Sequence, residues 1–545
     1  MEISRHFVTL KGRWGTRQVH YRRAGQGPAV LLLHQSPQSS AEFEAPMRRH
    51  AREFTLIAPD TPGYGQSDPL GPDRVSIGEF AAALGEFVDA LGLRRFGVYG
   101  FHTGACIGTW LAAARPQQVT AVSAQGLPRL TEEEQRDIVA NYLPPFLPSW
   151  DGSHLAWLWS RTRGQLVFYP WYRHSAEAAI SIDMPDATVL HAGAMELMRA
   201  GDHYATAYRA AFESDPRTVL PGLRARLLVT AGDADPLREH FGRLGDLPAG
   251  ARVEAAANSS AAFDLALEHL RIHPGDAPPS APATAAVAQR WWRRMITTPA
   301  GPVHLRLRGG SGRPLVLVHG AGECSDNLMR LGAQYSGPLV LPDLPGHGIS
   351  PPQDGDAVAA GAAVLDHLLD DADALVATGA GAAVALSTRR TDRPLTLIDV
   401  PALGEDLRQS FATEGFPDLS PVWHGGHLQA AWQLVGDSKL HFPWFRRDRA
   451  HRLAGERELD PRRLQLEMLA LFQSVAGWPG LGRTALDFPW LERLRDWRGP
   501  LTLAAPEGSG LLEPTRALAG GHRFVRLPRA PDRWLQVLVM PPEAD

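Results

Sequence analysis

Nine residues in the first half of this chain recur in the second half at one fixed offset. Pro148, Trp150, Gly152, His154, Leu155, Trp159, Pro170, Trp171 and Arg173 return as Pro421, Trp423, Gly425, His427, Leu428, Trp432, Pro443, Trp444 and Arg446, all 273 positions later and without a gap. Coincidence does not align that many tryptophans, histidines and prolines. The chain is therefore a duplication, and one architecture must account for both halves. Two further matches extend the repeat. The apolar run ending at His34 returns as the run ending at His319. The loop Asp60-Thr61-Pro62-Gly63-Tyr64-Gly65-Gln66-Ser67 returns as Asp343-Leu344-Pro345-Gly346-His347-Gly348-Ile349-Ser350.

Residues 273–289 are Pro, Ala and Ser with almost no bulky apolar group, so they are expected to form an extended spacer between domains 1–272 and 290–545. Within the first half, short apolar runs (AVLLLH, FTLIAPD, FGVYG, LLVTAGD) alternate with polar turns and Ala/Leu-rich amphipathic runs. Buried strands alternating with helices predict an α/β fold: two doubly wound, mostly parallel sheets, one per half. Right-handed crossovers place the strand ends, and any site, along one edge of each sheet. The Trp- and Pro-rich stretches at about 130–215 and 403–485 interrupt the alternation and read as helical cap insertions.

At 545 residues, 44% of them hydrophobic and 21% charged, the chain can bury two ordinary cores. Its 55 basic and 59 acidic side chains leave a net charge of −4, which offers no general attraction to nucleic acid or an anionic membrane. No apolar run reaches the roughly 18 residues that a membrane-spanning helix needs. The opening MEISRHFVTLKGRWG has no apolar core of a signal peptide. Two cysteines, Cys106 and Cys324, make neither a disulfide framework nor a paired metal motif. A cytoplasmic protein acting on a small molecule is expected, with assembly into a homo-oligomer left open.

The order of motifs in the first half resembles the α/β-hydrolase superfamily. A strand ends at His34, Asp60-x-Pro-Gly-x-Gly-x-Ser follows, Gly100-Phe101-His102-Thr103-Gly104 links a strand to a helix, and Gly232-x-x-Asp235 follows a late strand. The helical insertion lies where that family carries its cap. The resemblance covers nearly the whole chain, twice, and implies acyl or carbonyl chemistry beneath a cap without a cofactor. In the family a sharp strand-to-helix turn lifts a nucleophile to the top of the sheet, and nearby amides stabilise an oxyanion. Here that central residue is His102, not Ser, Cys or Asp. In the second half, Gly379-Ala380-Gly381-Ala382-Ala383 matches the motif with Gly381 at the centre, so this copy is expected to be degenerate.

The family's general-base histidine is missing from both halves. Asn258-Ser259-Ser260 stands there in the first, and the second has Ser509 at the acid position and Asp532 near the histidine position. No Ser-His-Asp triad can be assembled, yet the acid of the first half, Asp235, is kept. Imidazole titrates near neutrality and serves as acid, base or nucleophile. A histidine is longer than serine and reaches from the turn towards the acid. His102 and Asp235 are therefore the expected catalytic pair, the carboxylate orienting the ring. The competing expectation is a relic histidine in a site that binds without catalysing.

The loop His34-Gln35-Ser36-Pro37 is where the family supplies an oxyanion amide. The backbone amides of Gln35 and Thr103 are the candidate anion-binding pair, with Ser36 and the Gln35 side chain beside the substrate; His34 reads as a structural hydrogen-bonder. In the cap, Trp150, Asp151, His154, Trp171 and Arg173 offer aromatic walls, an imidazole and a guanidinium, suited to an aromatic or polyketide-like molecule bearing a carboxylate or phenolate. The persistence of Trp150, His154, Trp171 and Arg173 in the second copy speaks for a role in cap folding, whereas Asp151 becomes His424 there. His424-Gly425-Gly426-His427 lacks a third ligand at suitable spacing, so no metal is expected. Asp399, after the run LTLI, reads as structural. The leading expectation is a cofactor-free lyase, cyclase, dehydratase or water-activating hydrolase working through His102 and Asp235. The alternatives are a pair of inactive pseudohydrolases that bind a ligand or partner, and an ester or thioester hydrolase using another serine such as Ser36 or Ser259.

Overall fold

The computed structural model describes residues 2–71, 74–287, 290–455 and 458–539. The chain divides into two units: Met1–Leu147 with His154–Ala285, and Pro148–Ser153 with Ala286–Asp545. The first is built on β1 (Ser4–Gly12), β2 (Gly15–Ala24), β3 (Ala29–Leu33), β4 (Thr55–Pro59), β5 (Phe96–Phe101), β6 (Val119–Gln125), β7 (Arg226–Gly232) and β8 (Arg252–Ala256). These pair in the order β1-β2-β4-β3-β5-β6-β7-β8. The β1–β2 and β2–β4 pairs are antiparallel and all later ones parallel. Every residue of β3 and β4 is buried, as strands covered on both faces require.

The second unit repeats the plan with β9 (Trp291–Thr298), β10 (Gly301–Arg308), β11 (Leu315–Val318), β12 (Leu339–Pro342), β13 (Ala374–Thr378), β14 (Leu395–Ile398), β15 (Leu501–Pro506) and β16 (Arg523–Leu527). Its order, β9-β10-β12-β11-β13-β14-β15-β16, is that of the first sheet strand for strand. Two doubly wound, mostly parallel sheets are thus present.

The repeated Asp60 and Asp343 loops show why the sequence conserved their pattern within the chain. His20 Nδ1 lies 2.8 Å from Asp60 Oδ2, and His304 Nδ1 lies 2.8 Å from Asp343 Oδ2, both pairs buried. Asp60 also accepts from the amides of Ser40 and Gln66, and Asp343 from those of Ser325 and Ile349. Burial pushes His20 down to about 3, so its ring is neutral and tied to structure. Gly65 and Gly348 turn with φ of +53° and +55°, and a Cβ on either would meet the aspartate oxygen at 2.2 Å.

Between β6 and β7 the chain forms helices Glu132–Asn141, Ser153–Gly164, Ala187–Ala200 and Tyr204–Phe212. Between β14 and β15 it forms Glu405–Glu414, Gly426–Leu440, Pro461–Gln473, Trp478–Leu486 and Trp490–Asp496. The expected spacer is not loose. Thr284 Oγ1 donates to the Phe7 carbonyl at 2.7 Å, Thr9 Oγ1 donates to that of Ala285 at 2.8 Å, and the Asp276 amide donates to Arg95 at 2.8 Å. Hydrogen bonds between threonine hydroxyls and carbonyls at β1, and from the Asp276 amide to the Arg95 carbonyl, tie down a segment whose composition offers little side-chain burial; residues 288 and 289 of the spacer lie outside the described residues. Among the described residues, no helix is long and apolar enough to cross a membrane.

Candidate active site

His102 stands between β5 and the helix Thr103–Ala114 with φ +48° and ψ −105°, a conformation that costs a residue with a Cβ. The surroundings enforce it. The His102 amide donates to the Gln125 carbonyl at 2.9 Å, and its own carbonyl accepts from Cys106 at 3.2 Å. The flanking glycines are steric necessities: a Cβ on Gly100 would lie 2.2 Å from the Gly104 carbonyl oxygen, and one on Gly104 would lie 2.0 Å from that of Leu33. Cys106 is fully buried in this helix, and burial pushes its thiol up to about 12, which fits a core residue.

His102 Nε2 lies 3.0 Å from Asp235 Oδ2. Asp235 heads the turn after β7, where its Oδ1 accepts from the Leu237 amide at 2.9 Å. Burial raises this carboxyl, but the His102 ring and the Leu237 amide outweigh it and hold the group below the ordinary aspartate range. It is therefore ionised at neutral pH and accepts only. Against such an acceptor the shared hydrogen sits on Nε2. Sequence reasoning missed Gly126, at the end of β6 with φ +62°. A Cβ there would lie 2.2 Å from His102 Cδ2 and 2.9 Å from Asp235 Oδ2, so only glycine leaves room for the pair.

A cavity of about 310 Å³ opens above His102. Gln35, Ser36, Thr103, Gln38 and Gln165 give it a polar side, and Leu166, Ile180, Val189, Leu190 and Phe212 an apolar one. The Thr103 amide opens its helix and so has no acceptor within it. Gln35 differs from expectation. Its backbone amide donates to Glu42 Oε2 at 3.2 Å and its side-chain amide to Glu42 Oε1 at 2.5 Å. The expected anion-binding amide already has an internal carboxylate on it. Burial raises the Glu42 carboxyl to about 7, against a downward pull from the Gln35 hydrogen bonds and His102. Nothing in SSAEFEAP marked this residue; its importance comes from the turn that carries it to Gln35. His34 uses both ring nitrogens structurally, donating from Nδ1 to the Gln35 carbonyl at 2.8 Å and accepting at Nε2 from Thr61 at 2.9 Å. Ser259 is exposed, and its hydroxyl accepts from Gln125 Nε2 at 2.8 Å, outside this cavity.

The cap residues proposed as ligand contacts do not line this cavity. Trp150 is 78% exposed. Asp151 Oδ1 accepts from the Ser149 hydroxyl at 2.6 Å and the Ser153 amide at 3.0 Å, fixing the start of the helix Ser153–Gly164. His154 is buried against Phe146. Trp171 donates from Nε1 to the Tyr142 carbonyl at 3.1 Å and stacks beside the buried Arg161. Arg173 pairs with Asp137 at 2.8 Å and faces a separate cleft that also reaches Asp235. Large aromatic and charged types looked like ligand chemistry in the sequence, but here Asp151, His154 and Trp171 make contacts within the chain instead. Gly152 and Gly425 share φ +76° at the same point of the repeat, which explains why glycine persists there.

The second unit corrects the register of its own turn. The positive φ falls on Gly379 (+52°), whose amide donates to the Ile398 carbonyl at 2.9 Å as that of His102 does to Gln125. Gly379 therefore corresponds to His102. Gly381 corresponds to Gly104: a Cβ on it would lie 2.3 Å from the His319 carbonyl oxygen. A run of small residues fits the motif in either register, and only the backbone decides. Asp399 stands at the place of Gly126, with φ +54°, its amide donating to Ala504 at 3.0 Å as that of Gly126 does to Thr230 at 2.7 Å. The Ser509 hydroxyl donates to Asp399 Oδ1 at 2.8 Å. The Gly320 amide, counterpart of Gln35, donates to Glu323 Oε2 at 2.8 Å.

Comparison with known proteins bears on the fold that carries this site. Residues 28–238 match the alpha/beta hydrolase fold family, and residues 315–539 match an alpha/beta hydrolase family. An uncharacterised hydrolase of Saccharomyces cerevisiae is 34% identical over 110 residues, 20% of this chain and 38% of that protein. Haloalkane dehalogenase 2 of Mycobacterium tuberculosis is 34% identical over 119 residues, 22% of this chain and 40% of that protein. The chain thus spans well under half the length of these curated relatives. A crystal structure of a hydrolase from Pseudomonas aeruginosa is similar over 48% of this chain and 95% of that one, with 21% identity and a TM-score of 0.37. With one family match on each of its two sheets, this chain belongs to the α/β-hydrolase family and carries that family's fold twice.

Proposed function

We propose that the first unit performs cofactor-free general acid–base chemistry on a carbonyl-bearing small molecule, with His102 exchanging the proton and Asp235 holding the ring. The observation that carries this reading is the 3.0 Å contact between His102 Nε2 and Asp235 Oδ2, with His102 lining a cavity. With the hydrogen on Nε2, Nδ1 can take a proton from a carbon beside a carbonyl, from a hydroxyl or from water, and return it later. Asp235 stabilises the imidazolium formed in between. Glu42 occupies the Gln35 amides, so an acyl-transfer oxyanion would have to displace it. That favours lyase, cyclase or dehydratase chemistry, or attack by an activated water, over a covalent acyl-enzyme. The cavity's apolar wall suits an aromatic or polyketide-like body.

The test follows α-proton exchange and turnover in deuterated water over a panel of aromatic and polyketide-like carbonyl compounds. His102→Ala should abolish the signal while keeping the fold, and Asp235→Asn should lower it by about 10³-fold or more through loss of the productive tautomer. Equal rates in wild type and His102→Ala would sink the proposal. A second reading, a pseudohydrolase that binds without converting, is favoured by Glu42 filling the amide site. It requires ligand binding undiminished in His102→Ala and no conversion by either protein. A serine-reactive fluorophosphonate should leave both proteins unlabelled; labelling would instead favour the hydrolase using another serine.

A further inference from the structure

The second unit lacks a side chain at its turn, yet the place is not empty of chemistry. A cavity of about 580 Å³ opens above Gly379. Asp399 lines it from the end of β14, together with Glu323. The polar pair of the first unit is replaced rather than lost: Asp399 and Ser509 stand where Gly126 and Asp235 stand in the first sheet, 2.8 Å apart. Around them are the rings of Phe411, Phe416, Phe442, Trp444 and Trp478. The cavity's Lys439 is paired with Glu467 at 2.6 Å, and Arg463 lies 3.9 Å from the same carboxylate. A separate observation also points to an occupant. His441 lines this cavity at 8% exposure, and its Nδ1 has no hydrogen-bond partner. A buried polar atom left in that state costs free energy that a ligand's polar group would recover.

We propose that this cavity is a binding site for a hydrophobic amine, whose ammonium group is held by Asp399 with Glu323 adding negative charge, and whose body lies among the aromatic rings. An ammonium donates to carboxylates and is attracted to ring faces, so both parts of the lining select it over an acid of the same shape. Burial first, and then the neighbouring Glu323, raise the Asp399 carboxyl to about 7 when no cation is present, so binding of the amine near neutral pH expels a proton. The site is independent of turnover at His102.

The experiment is calorimetric titration of the full-length protein with 2-phenylethylamine, 2-phenylethanol and 3-phenylpropionate, three probes of one shape and different charge. The amine should bind, the alcohol at least tenfold more weakly, and the acid not measurably. The heat at pH 7 should depend on the buffer's ionisation enthalpy, reporting proton release. Asp399→Asn should weaken the amine at least tenfold. Ala321→Trp, which fills the cavity from a neighbouring loop and leaves the carboxyl in place, should do the same, and it serves if Asp399→Asn fails to fold. Ser509→Ala, which keeps the carboxylate, should retain binding. No amine binding at millimolar concentration, equal binding of amine and alcohol, or amine binding unchanged in Ala321→Trp would overturn the proposal.

Discussion

The two units share one sheet topology, but the side chain above the centre of each sheet comes from a different strand. In the first it rises from the turn after β5 as His102 and meets Asp235. In the second the turn carries Gly379, and the group rises from the end of β14 as Asp399 and meets Ser509. The counterpart of Asp399 in the first unit is Gly126, where even a Cβ would strike the His102 ring. One small volume can therefore be furnished from either of two adjacent strand ends, but not from both. The presence of a polar group there belongs to the fold, and its chemical identity belongs to the copy: an imidazole in one, a carboxyl in the other.

The comparison breaks most visibly at His102. His102→Ala should cost about 10²- to 10⁴-fold in turnover with little change in Tm; retained turnover would move the chemistry to the second unit. Gly126→Ala brings in the first atom of the other arrangement. Its Cβ would lie 2.2 Å from His102 Cδ2, and the residue has φ +62°. Turnover should fall by about 10²-fold as the ring is displaced, with a loss of stability of about 1–2 kcal/mol from the left-handed backbone. The pH dependence of stability sharpens the comparison from the other side. The folded protein keeps a proton on Asp399 up to about pH 7, whereas an ordinary aspartate loses it near 3.8. Between those values the folded state binds more protons than the unfolded one, so this group withdraws stability as pH rises from about 4 to 7. Asp399→Asn has no such loss, and its Tm should gain on that of wild type across this window and run parallel above it. Parallel curves throughout would mean that Asp399 is not buried in the way described. The smallest effect is expected from Asp151→Ala, a change of a few degrees or less in Tm from a lost helix start and no change in kinetics. A raised KM would restore Asp151 as a ligand contact.

How far the sequence could be read depended on whether a feature was written in residue types or in the backbone. The repeat and the β/α alternation were legible because buried parallel strands demand apolar runs, and the duplication supplied two readings of each. His102 and Asp235 could be paired because their motifs lie in a fixed order along the sheet edge. Glu42 was not visible, since its role depends on a short turn that folds it back onto Gln35. Gly126 was hidden for a related reason: its contribution is an absence of atoms, which has meaning only beside a neighbour. The second turn was misplaced because Gly379 and Gly381 are alike in sequence and differ only in φ. His154 and Trp171 were read as ligand chemistry, although their retention in both copies already fitted the packing they perform, while Asp151, which becomes His424 in the second copy, starts a helix.

The collision between positions 102 and 126 also constrains history. A lineage that gains the new group first loses the use of the old one, because the incoming methylene displaces the His102 ring. Whichever change comes first, the route runs through a form in which neither group is in working position. A single-copy ancestor would be exposed to selection at that step. A gene that already carried the domain twice could cross the valley in one half while the other went on working.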